Sequence, residues 1–563
     1  MGAAVGNRLW EAACVPAERA FRRALADPVG TQERLLLAHV RANAETEVGR
    51  RFGFSRIRSA ADFRERVPLH TWDDLAHDAA RIARGTPRVW TADRVRRLEP
   101  TSGTSGGTKL VPYTDTMRQQ VRAAVGAWMA DLFRAMPDLR GGPAYWSVSP
   151  AVPLPAAHAG GPPVGFDSDG GYLSPLHARL ARAVMAAPDD LRHVLDSETH
   201  RYATLRTTIA RADLRLISVW NPTALALLLA PLRPWSDRLA HDLRRGTLTP
   251  AVPLPPGIQD RLARGLRPDP RRADSLLAAV RDEPDDGVLH ARLWPRLGLV
   301  SAWGDGHAAG SFEQLRALVP HARIQAKGLL ATEGVVSIPR VGHDGGALAL
   351  TSHVVELLDG GQSVDLARAD VGGLFEVALT MGGGLLRYRL GDRVRVVGHA
   401  GRCPLVRFVE RAGPVSDRVG EKLHEAHVAA CVAGLGLDAP FTLVACDTAA
   451  GDGAAHRARP PAYVLFAETC DTDARLAAAA RALDAALSEN IHYAHARRLG
   501  QLGPLRAFRV RGDGAEAFVA GCVALGQRAG SVKPAALHRD GGWAERFDGA
   551  FVDAAPALSR GAW

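Results

Sequence analysis

Lysine is almost missing from this chain. Of its 70 basic residues only four are lysines, Lys109, Lys327, Lys422 and Lys533, and the rest are arginine. Arginine evidently serves wherever a generic surface cation is enough. A surviving lysine is therefore expected where a compact ammonium is needed and a planar guanidinium does not fit. Cysteine is sparse too: Cys14, Cys403, Cys431, Cys446, Cys470 and Cys522 show neither CxxC nor Cys/His ligand spacing. That excludes a zinc or disulfide framework and leaves isolated thiols. No apolar run is long enough to span a bilayer, and the longest, near residues 223–232, falls well short. Residues 1–20 carry charges throughout, without the separate apolar core of a signal peptide, so the expected location is the cytoplasm. The formal charge is +10, yet Asp and Glu are interspersed with the arginines, and no basic tail or zinc-finger spacing is present. The expectation is a solvated arginine-rich surface on a monomer, with neither nucleic acid nor membrane as partner.

What remains is an ordinary globular composition, 47% hydrophobic and 23% charged, in 563 residues. That length predicts two or more domains. The N-terminal stretch reads as helices, with Thr31 capping a segment through Leu36 and Val40, and Ser59 with Asp62 forming a capping box before Phe63. Pro68 ends that second helix. Residues 91–111 read as a loop. Residues 214–220 read as a buried strand, stopped by Asn221-Pro222, which opens a helix. Further strands are expected over 347–358, 373–380 and 385–397. Helical spacing continues over 116–134. The Pro-rich stretches 151–163, 251–255 and 449–461 read as loops or linkers. Beyond residue 412 the order becomes helix 423–433, strand 441–446, strand 462–467, helix 473–487, strand 505–510. This predicts a small α+β unit with helices on one face of a sheet. The expected organisation is α/β, with a large N-terminal domain over 1–411 and a small α+β C-terminal domain over 412–563.

The densest chemical signal is Thr101-Ser-Gly-Thr-Ser-Gly-Gly-Thr-Lys109. Its glycines let the backbone approach a ligand closely, and successive N–H groups can form an anion-binding nest. Ser102, Thr104 and Ser105 add hydroxyls and Lys109 a charge, a set that suits a triphosphate. A P-loop is excluded, because Lys109 follows Thr108 and precedes Leu110 instead of a Ser or Thr. Residues 103–107 also match the GxSxG nucleophile elbow, which would make Ser105 a hydrolase nucleophile. That elbow requires a strand before it and a helix directly after it, and Leu110-Val-Pro112 argues against the helix.

These residues resemble the phosphate loop of the adenylate-forming superfamily. More specifically, the chain resembles the auxin-responsive acyl acid amido synthetases. The resemblance runs through ANAETEVGRRFGF (42–54), DFRERVP (62–68), SVWNP (218–222), ATEG (331–334), RYRLGD (387–392), GEK (420–422) and NIHY (490–493), in order. It implies an adenylate-forming N-terminal domain that binds ATP and the acyl acid, and a mobile C-terminal lid. By the same resemblance Ser102, Gly103, Thr104, Ser105 and Lys109 hold the ATP phosphates. Thr332 lies by the nucleotide and Glu333 holds Mg²⁺. Magnesium is content with one carboxylate plus phosphate oxygens. Asp392 accepts the ribose hydroxyls, for which a carboxylate has two acceptor oxygens. Arg411 lies near the interdomain hinge, and Lys422 on the lid side of the nucleotide. Without the family, Thr332-Glu333 would be a helix start and Gly391-Asp392 a turn.

Lys533 corresponds to the lysine that bridges the attacking carboxylate and the α-phosphate, a fitting place for positive charge during in-line displacement. Here Gln527 lies six residues ahead of it, a longer gap than the family's usual segment. Lys327 has no assigned role and is read as structural. The implied reaction joins a small carboxylic acid, through its acyl-AMP, to an amine, an amino acid by family likeness. A thiol acceptor such as coenzyme A is the nearest alternative. His307, His424 and His492 are candidates for the base that deprotonates the amine. Residues 116–134 and 303–311 are implied as walls of the acyl pocket.

Overall fold

The computed structural model describes residues 2–102, 108–148, 157–165, 183–305, 308–411, 415–447, 460–525 and 535–552. Contacts divide the chain into two compact units, the first Met1–Thr101 with Lys109–Glu410 and the second Ser102–Thr108 with Arg411–Trp563. Among the described residues no helix is long and apolar enough to cross a membrane.

The first unit opens with helices. The capping box at Ser59 forms as expected: Ser59 Oγ accepts from the Asp62 amide at 3.1 Å, Asp62 accepts from the Ser59 amide at 3.1 Å, and the helix runs Ala60–Arg66. Such a cap contributes about 1 kcal/mol. Thr31 is not a cap. The helix Pro28–Ala42 starts earlier, with Asp27 accepting from Gly30 N and Pro28 at its first position. An Asp-Pro start satisfies an orphan N–H and pre-sets φ, so it outcompetes a threonine three residues on.

The region read as one loop over 91–111 contains two paired strands, β1 (Arg97–Ser102) and β2 (Thr108–Tyr113). Next comes the helix Asp115–Ala135, capped by Thr114 Oγ1, which accepts from Met117 N at 3.2 Å. Four short strands then form a parallel sheet: β3 (Ala144–Trp146), β4 (Leu216–Ser218), β5 (Leu299–Ala302) and β6 (Arg323–Ala326). Asn221 caps the helix Pro222–Leu229 directly after β4, as its Asn-Pro signal predicts. Both faces of this sheet are covered. Ala144, Leu216 and Leu299 pack into one core, which includes the helix Asp115–Ala135, while Tyr145, Ile217 and Val300 pack into another with the helices of residues 197–318. Apolar residues at consecutive positions are what a parallel strand buried on both sides requires.

A small hairpin follows, β7 (Leu330–Ala331) and β8 (Gly334–Val335), antiparallel through Ala331↔Gly334. Then come β9 (Ser337–Pro339), β10 (Gly346–Leu348), β11 (Val354–Asp359), β12 (Gln362–Ser363), β13 (Leu374–Thr380), β14 (Tyr388–Ala400) and β15 (Cys403–Arg411). They form a seven-stranded sheet in the order β12-β11-β13-β14-β15-β10-β9. The single strand expected over 347–358 is thus two. Gln32 separates them: its Nε2 donates to Leu350 O at 2.8 Å and His353 O at 2.9 Å, and its Oε1 accepts from Val355 N at 2.7 Å.

The second unit holds a two-stranded ribbon, β16 (Val415–Ser416) and β17 (Leu423–His424), then the helix Glu425–Ala433. Its main sheet is five-stranded, in the order β21-β18-β19-β20-β22, from β18 (Phe441–Asp447), β19 (Ala462–Glu468), β20 (Arg506–Val510), β21 (Leu537–His538) and β22 (Gly549–Val552). The expectation of helices on one face fails here. Val444, Cys446, Leu465 and Ala467 pack against Leu476 and Leu483 of the helix Asp473–Leu487. Leu443, Ala445, Val464 and Phe466 pack against Phe518 of the helix Gly514–Ala524 and against Trp543. Alternate residues of β18 and β19 thus feed opposite cores, so each face needs a cover. Of the Pro-rich stretches, residues 251–255 are a loop as expected. Most of 449–461, and 151–156 within the first, lie outside the described residues.

Candidate active site

The candidate phosphate loop is flanked by β1 and β2. Gly103, Thr104 and Ser105 lie outside the described residues, as does the side chain of Ser102. The flanks nevertheless decide one question. A nucleophile elbow is a strand-to-helix turn, whereas here a strand enters and a second strand leaves, with the next helix starting only at Asp115. The context that would make Ser105 a hydrolase nucleophile is missing.

Lys109 sits on β2 and is buried, at 4% exposure. Its Nζ donates to Tyr388 Oη at 3.1 Å and lies 5.8 Å from the ring centroid of Trp72 and 5.9 Å from that of Tyr388. Two aromatic faces partly offset the desolvation of the ammonium. Neither ring was anticipated from the sequence, although Tyr388 belongs to the RYRLGD segment.

That segment divides sharply by role. Arg387 is buried with φ +43° and pairs with Glu356 at 3.1 Å; it also donates to Val67 O at 2.9 Å, Arg64 O at 3.2 Å and Ser363 Oγ at 3.2 Å. It ties β14 to β11 and to the end of the helix Ala60–Arg66. Arg389 forms a two-pronged pair with Glu376, both distances 2.7 Å, on the more exposed side. Tyr388 and Asp392 are buried between and beyond these arginines. Gly391-Asp392 is no turn. Glu376 pairs with Arg393 and Ala378 with Arg389, so the three residues 390–392 face the single residue Val377. This is a β-bulge, with Gly391 at φ +77°. Bulges of this kind re-aim a side chain, here the carboxylate of Asp392.

Thr332 and Glu333 form the two-residue tip of the β7–β8 hairpin and do not begin a helix. Glu333 is 5% exposed, and among the described residues its carboxylate has no hydrogen-bond or ion-pair partner. Its oxygens are not among the sealed-off polar atoms, so a carboxylate free of protein partners stands open at the hairpin tip, where it can ligate a cation. The residue present therefore fits Mg²⁺. Behind the tip, a Cβ on Gly334 would meet the His353 ring at 3.0 Å, so a larger residue there would have to push that ring aside by a few tenths of an ångström. His353 is fully buried, both ring nitrogens lack a partner among the described residues, and burial holds it down at about 3.

In the second unit, Lys422 has φ +47°, an unusual value for a side chain with a Cβ. The loop is held from the preceding residue. Glu421, fully buried, accepts from Arg418 N and Val419 N at 2.7 Å each and from Tyr463 Oη at 2.5 Å; with that single proton committed to Glu421, Tyr463 Oη accepts from Ser416 Oγ at 2.6 Å. Burial, with Asp417 adding to it, pushes the Glu421 carboxyl upward. Asn490 of the NIHY segment donates from Nδ2 to Lys422 O at 3.3 Å and caps the helix Ile491–Arg498. The GEK and NIHY segments, far apart in sequence, thus meet at one backbone. His424 is buried on β17, and His492 lies in the first turn of that helix. Arg411 ends β15 with its side chain outside the described residues, where His307 and Lys533 also lie.

Three family-domain profiles match the chain in order: the GH3 family N-terminal domain over 17–324, its central domain over 351–411 and its C-terminal domain over 425–541. The chain belongs to the GH3 family. Among its relatives, the indole-3-acetic acid-amido synthetase GH3.8 of Oryza sativa subsp. indica is 27% identical over 70% of this chain and 68% of its own length. The probable indole-3-acetic acid-amido synthetase GH3.12 of Oryza sativa subsp. japonica is 26% identical over 91% and 92%. Two solved structures share the fold. The GH3.15 acyl acid amido synthetase superposes with a TM-score of 0.62 at 18% identity, covering 96% of this chain and 98% of that one. A 2-hydroxyisobutyryl-CoA ligase reaches 0.50 at 14% identity, covering 90% and 94%.

Proposed function

We propose that this GH3-family chain uses ATP and Mg²⁺ to activate a small carboxylic acid as its acyl-AMP, then passes the acyl group to the amine of an amino acid. The observation that carries this reading is the succession of all three GH3 domains along residues 17–541, a span shared with amido synthetases. The unpartnered, buried Glu333 supports it from the geometry.

In this reading residues 1–411 bind ATP and the acid, and 412–563 act as the lid. Ser102, Gly103, Thr104, Ser105 and Lys109 hold the phosphates, and Thr332 lies beside the nucleotide. Glu333 holds Mg²⁺, which supplies charge neutralisation at the phosphates when bound. Asp392, aimed by its bulge, accepts from the ribose; Arg411 and Lys422 approach the nucleotide from the hinge and lid. Lys533 neutralises the charge that gathers as the carboxylate attacks phosphorus. The acid is already ionised at neutral pH, so these residues act mainly by alignment and charge stabilisation. Lid movement then exposes the mixed anhydride to the amine.

The test is acid-dependent ATP–pyrophosphate exchange with Mg²⁺, followed by mass spectrometry of products when amino acids and coenzyme A are offered together. Exchange that needs an acid, followed by an amide product, supports the reading. Absence of exchange across a broad acid panel defeats it, and a thioester product replaces the acceptor.

A further inference from the structure

Lys327 is the one lysine that the mechanism above leaves idle, and its surroundings are those of a binding floor. Strand pairing puts Trp146, Ser218, Ser301 and Gln325 in register across β3, β4, β5 and β6. In-register residues of parallel strands project to the same face. This row sits at the carboxyl ends of the strands, where open α/β sheets receive their ligands.

Lys327 lies two residues beyond Gln325 and therefore on the same face, with its backbone N donating to Ala302 O at 2.8 Å. Its side chain crosses over β5, and Nζ donates to Ser218 Oγ on β4 at 2.7 Å. On the way it passes the position of Ser301, which is fully buried and whose hydroxyl has no partner among the described residues. The ammonium is 5.1 Å from the ring centroid of Trp128 and 5.4 Å from that of Trp220. Trp128 is fixed by donating Nε1 to Gln325 Oε1 at 3.1 Å, whereas Trp220 is 52% exposed. A large indole half in water beside a cation is a surface that a ligand can cover.

A core cation needs none of this. The chain uses arginine almost everywhere else, and two hydroxyls beside a compact ammonium make a small set of donors suited to one planar anion. We propose that Lys327, with Ser218 and Ser301, binds a carboxylate of the acyl acid, while Trp128 and Trp220 cover its apolar body. The inference rests on the adenylation reading and adds to it the residues of this floor that hold the acid. The carboxylate held here is either the one that is activated or a second one carried by a dicarboxylic acid.

The experiment compares wild type with Lys327→Met, Lys327→Arg and Ser301→Ala in ATP–pyrophosphate exchange, using matched aryl monocarboxylic and dicarboxylic acids. Lys327→Met is expected to raise the KM for the acid at least about tenfold, the loss of one charged hydrogen bond, with the KM for ATP unchanged. Lys327→Arg should retain part of the affinity, and Ser301→Ala should raise the acid KM by a smaller factor. A loss for both acid classes assigns the activated carboxylate to Lys327, and a loss confined to diacids assigns the second one. An unchanged acid KM in folded Lys327→Met, or equal rises for acid and ATP, overturns the proposal while leaving adenylation intact. Should Lys327→Met not fold, Lys327→Arg and Ser301→Ala decide by the same split between acid and ATP. If wild type shows no acid-dependent exchange, the adenylation reading fails and this proposal with it.

Discussion

Arg387 and Asp392 stand five residues apart in one segment; the first is tied into the fold by its pair with Glu356, and the second is proposed to accept from the ribose. Replacing Arg387 by Met removes the guanidinium from a pair in which both side chains are 8% exposed. Glu356 would keep only the Ser363 hydroxyl among the partners seen here, so a buried carboxylate loses its charge partner. Breaking such a pair costs about 3–5 kcal/mol. The carbonyls of Arg64 and Val67 lose a donor as well, so the upper half of that range is expected. For a unit of roughly 410 residues the unfolding entropy is about 0.9 kcal/mol/K, so the melting temperature should fall by about 4–6 °C. Asp392→Asn keeps the shape and removes the charge. It should lower the melting temperature less than Arg387→Met does, yet raise the KM for ATP at least about tenfold through a weakened bond to the ribose. Scanning calorimetry and pyrophosphate exchange at varied ATP measure both quantities. The reasoning is refuted if Arg387→Met leaves the melting temperature alone and raises the KM for ATP, or if Asp392→Asn does the reverse.

Three further outcomes are expected. Glu333→Gln should reduce exchange at least about a hundredfold. It should also leave the melting temperature of ligand-free protein nearly unchanged, because among the described residues the carboxylate makes no contact for the amide to lose; a large drop in stability would instead mark Glu333 as structural. Lys533→Ala should cripple adenylate formation while sparing amide synthesis from supplied acyl-AMP, and equal loss of both half-reactions would count against its assignment. His353 is lowered from 6.5 to about 3 by burial, so the fold requires the neutral ring. That stability is complete above about 6.5 and declines by about 1.4 kcal/mol per pH unit below it, until the folded value near 3 is reached. Denaturant titrations of His353→Leu below neutrality should show a shallower pH dependence than wild type, and parallel curves would remove His353 from the account.

The elements that were legible from sequence are those whose signals are local. Ser59 and Asp62 lie within one turn, and Asn221-Pro222 is both cap and first residue of its helix. Signals were misread where two local cues competed, as at Thr31, since Asp27-Pro28 offers a better start a few residues upstream. They failed outright where the deciding partner is distant. Nothing within residues 347–358 says that Gln32 will take the carbonyls of Leu350 and His353 and split the strand. The helix Gly514–Ala524 escaped because its composition is small and apolar nearly all round, GAEAFVAGCVA, and shows no contrast between faces.

The same distinction governs the site. A motif identifies a segment, while the division of labour inside it follows from which way each backbone turns. In RYRLGD the alternation of β14 sends Tyr388 and Asp392 inward, and the bulge opposite Val377 gives Asp392 its aim. In GEK the visible lysine depends on the glutamate before it, whose three short hydrogen bonds hold the loop that carries Lys422 at φ +47°. Lysine scarcity remains the sequence feature with the longest reach. It marked Lys109, which the fold buries between Trp72 and Tyr388, and it marked Lys327, which no motif explained. In both places an ammonium is flanked by two aromatic rings and donates to a hydroxyl. A guanidinium is broader, prefers to stack its plane on a ring, and would need more acceptors than these settings provide. Two sites built to the same plan, in a chain that otherwise avoids lysine, argue that the residue is retained for what the ammonium contacts and not for its charge alone.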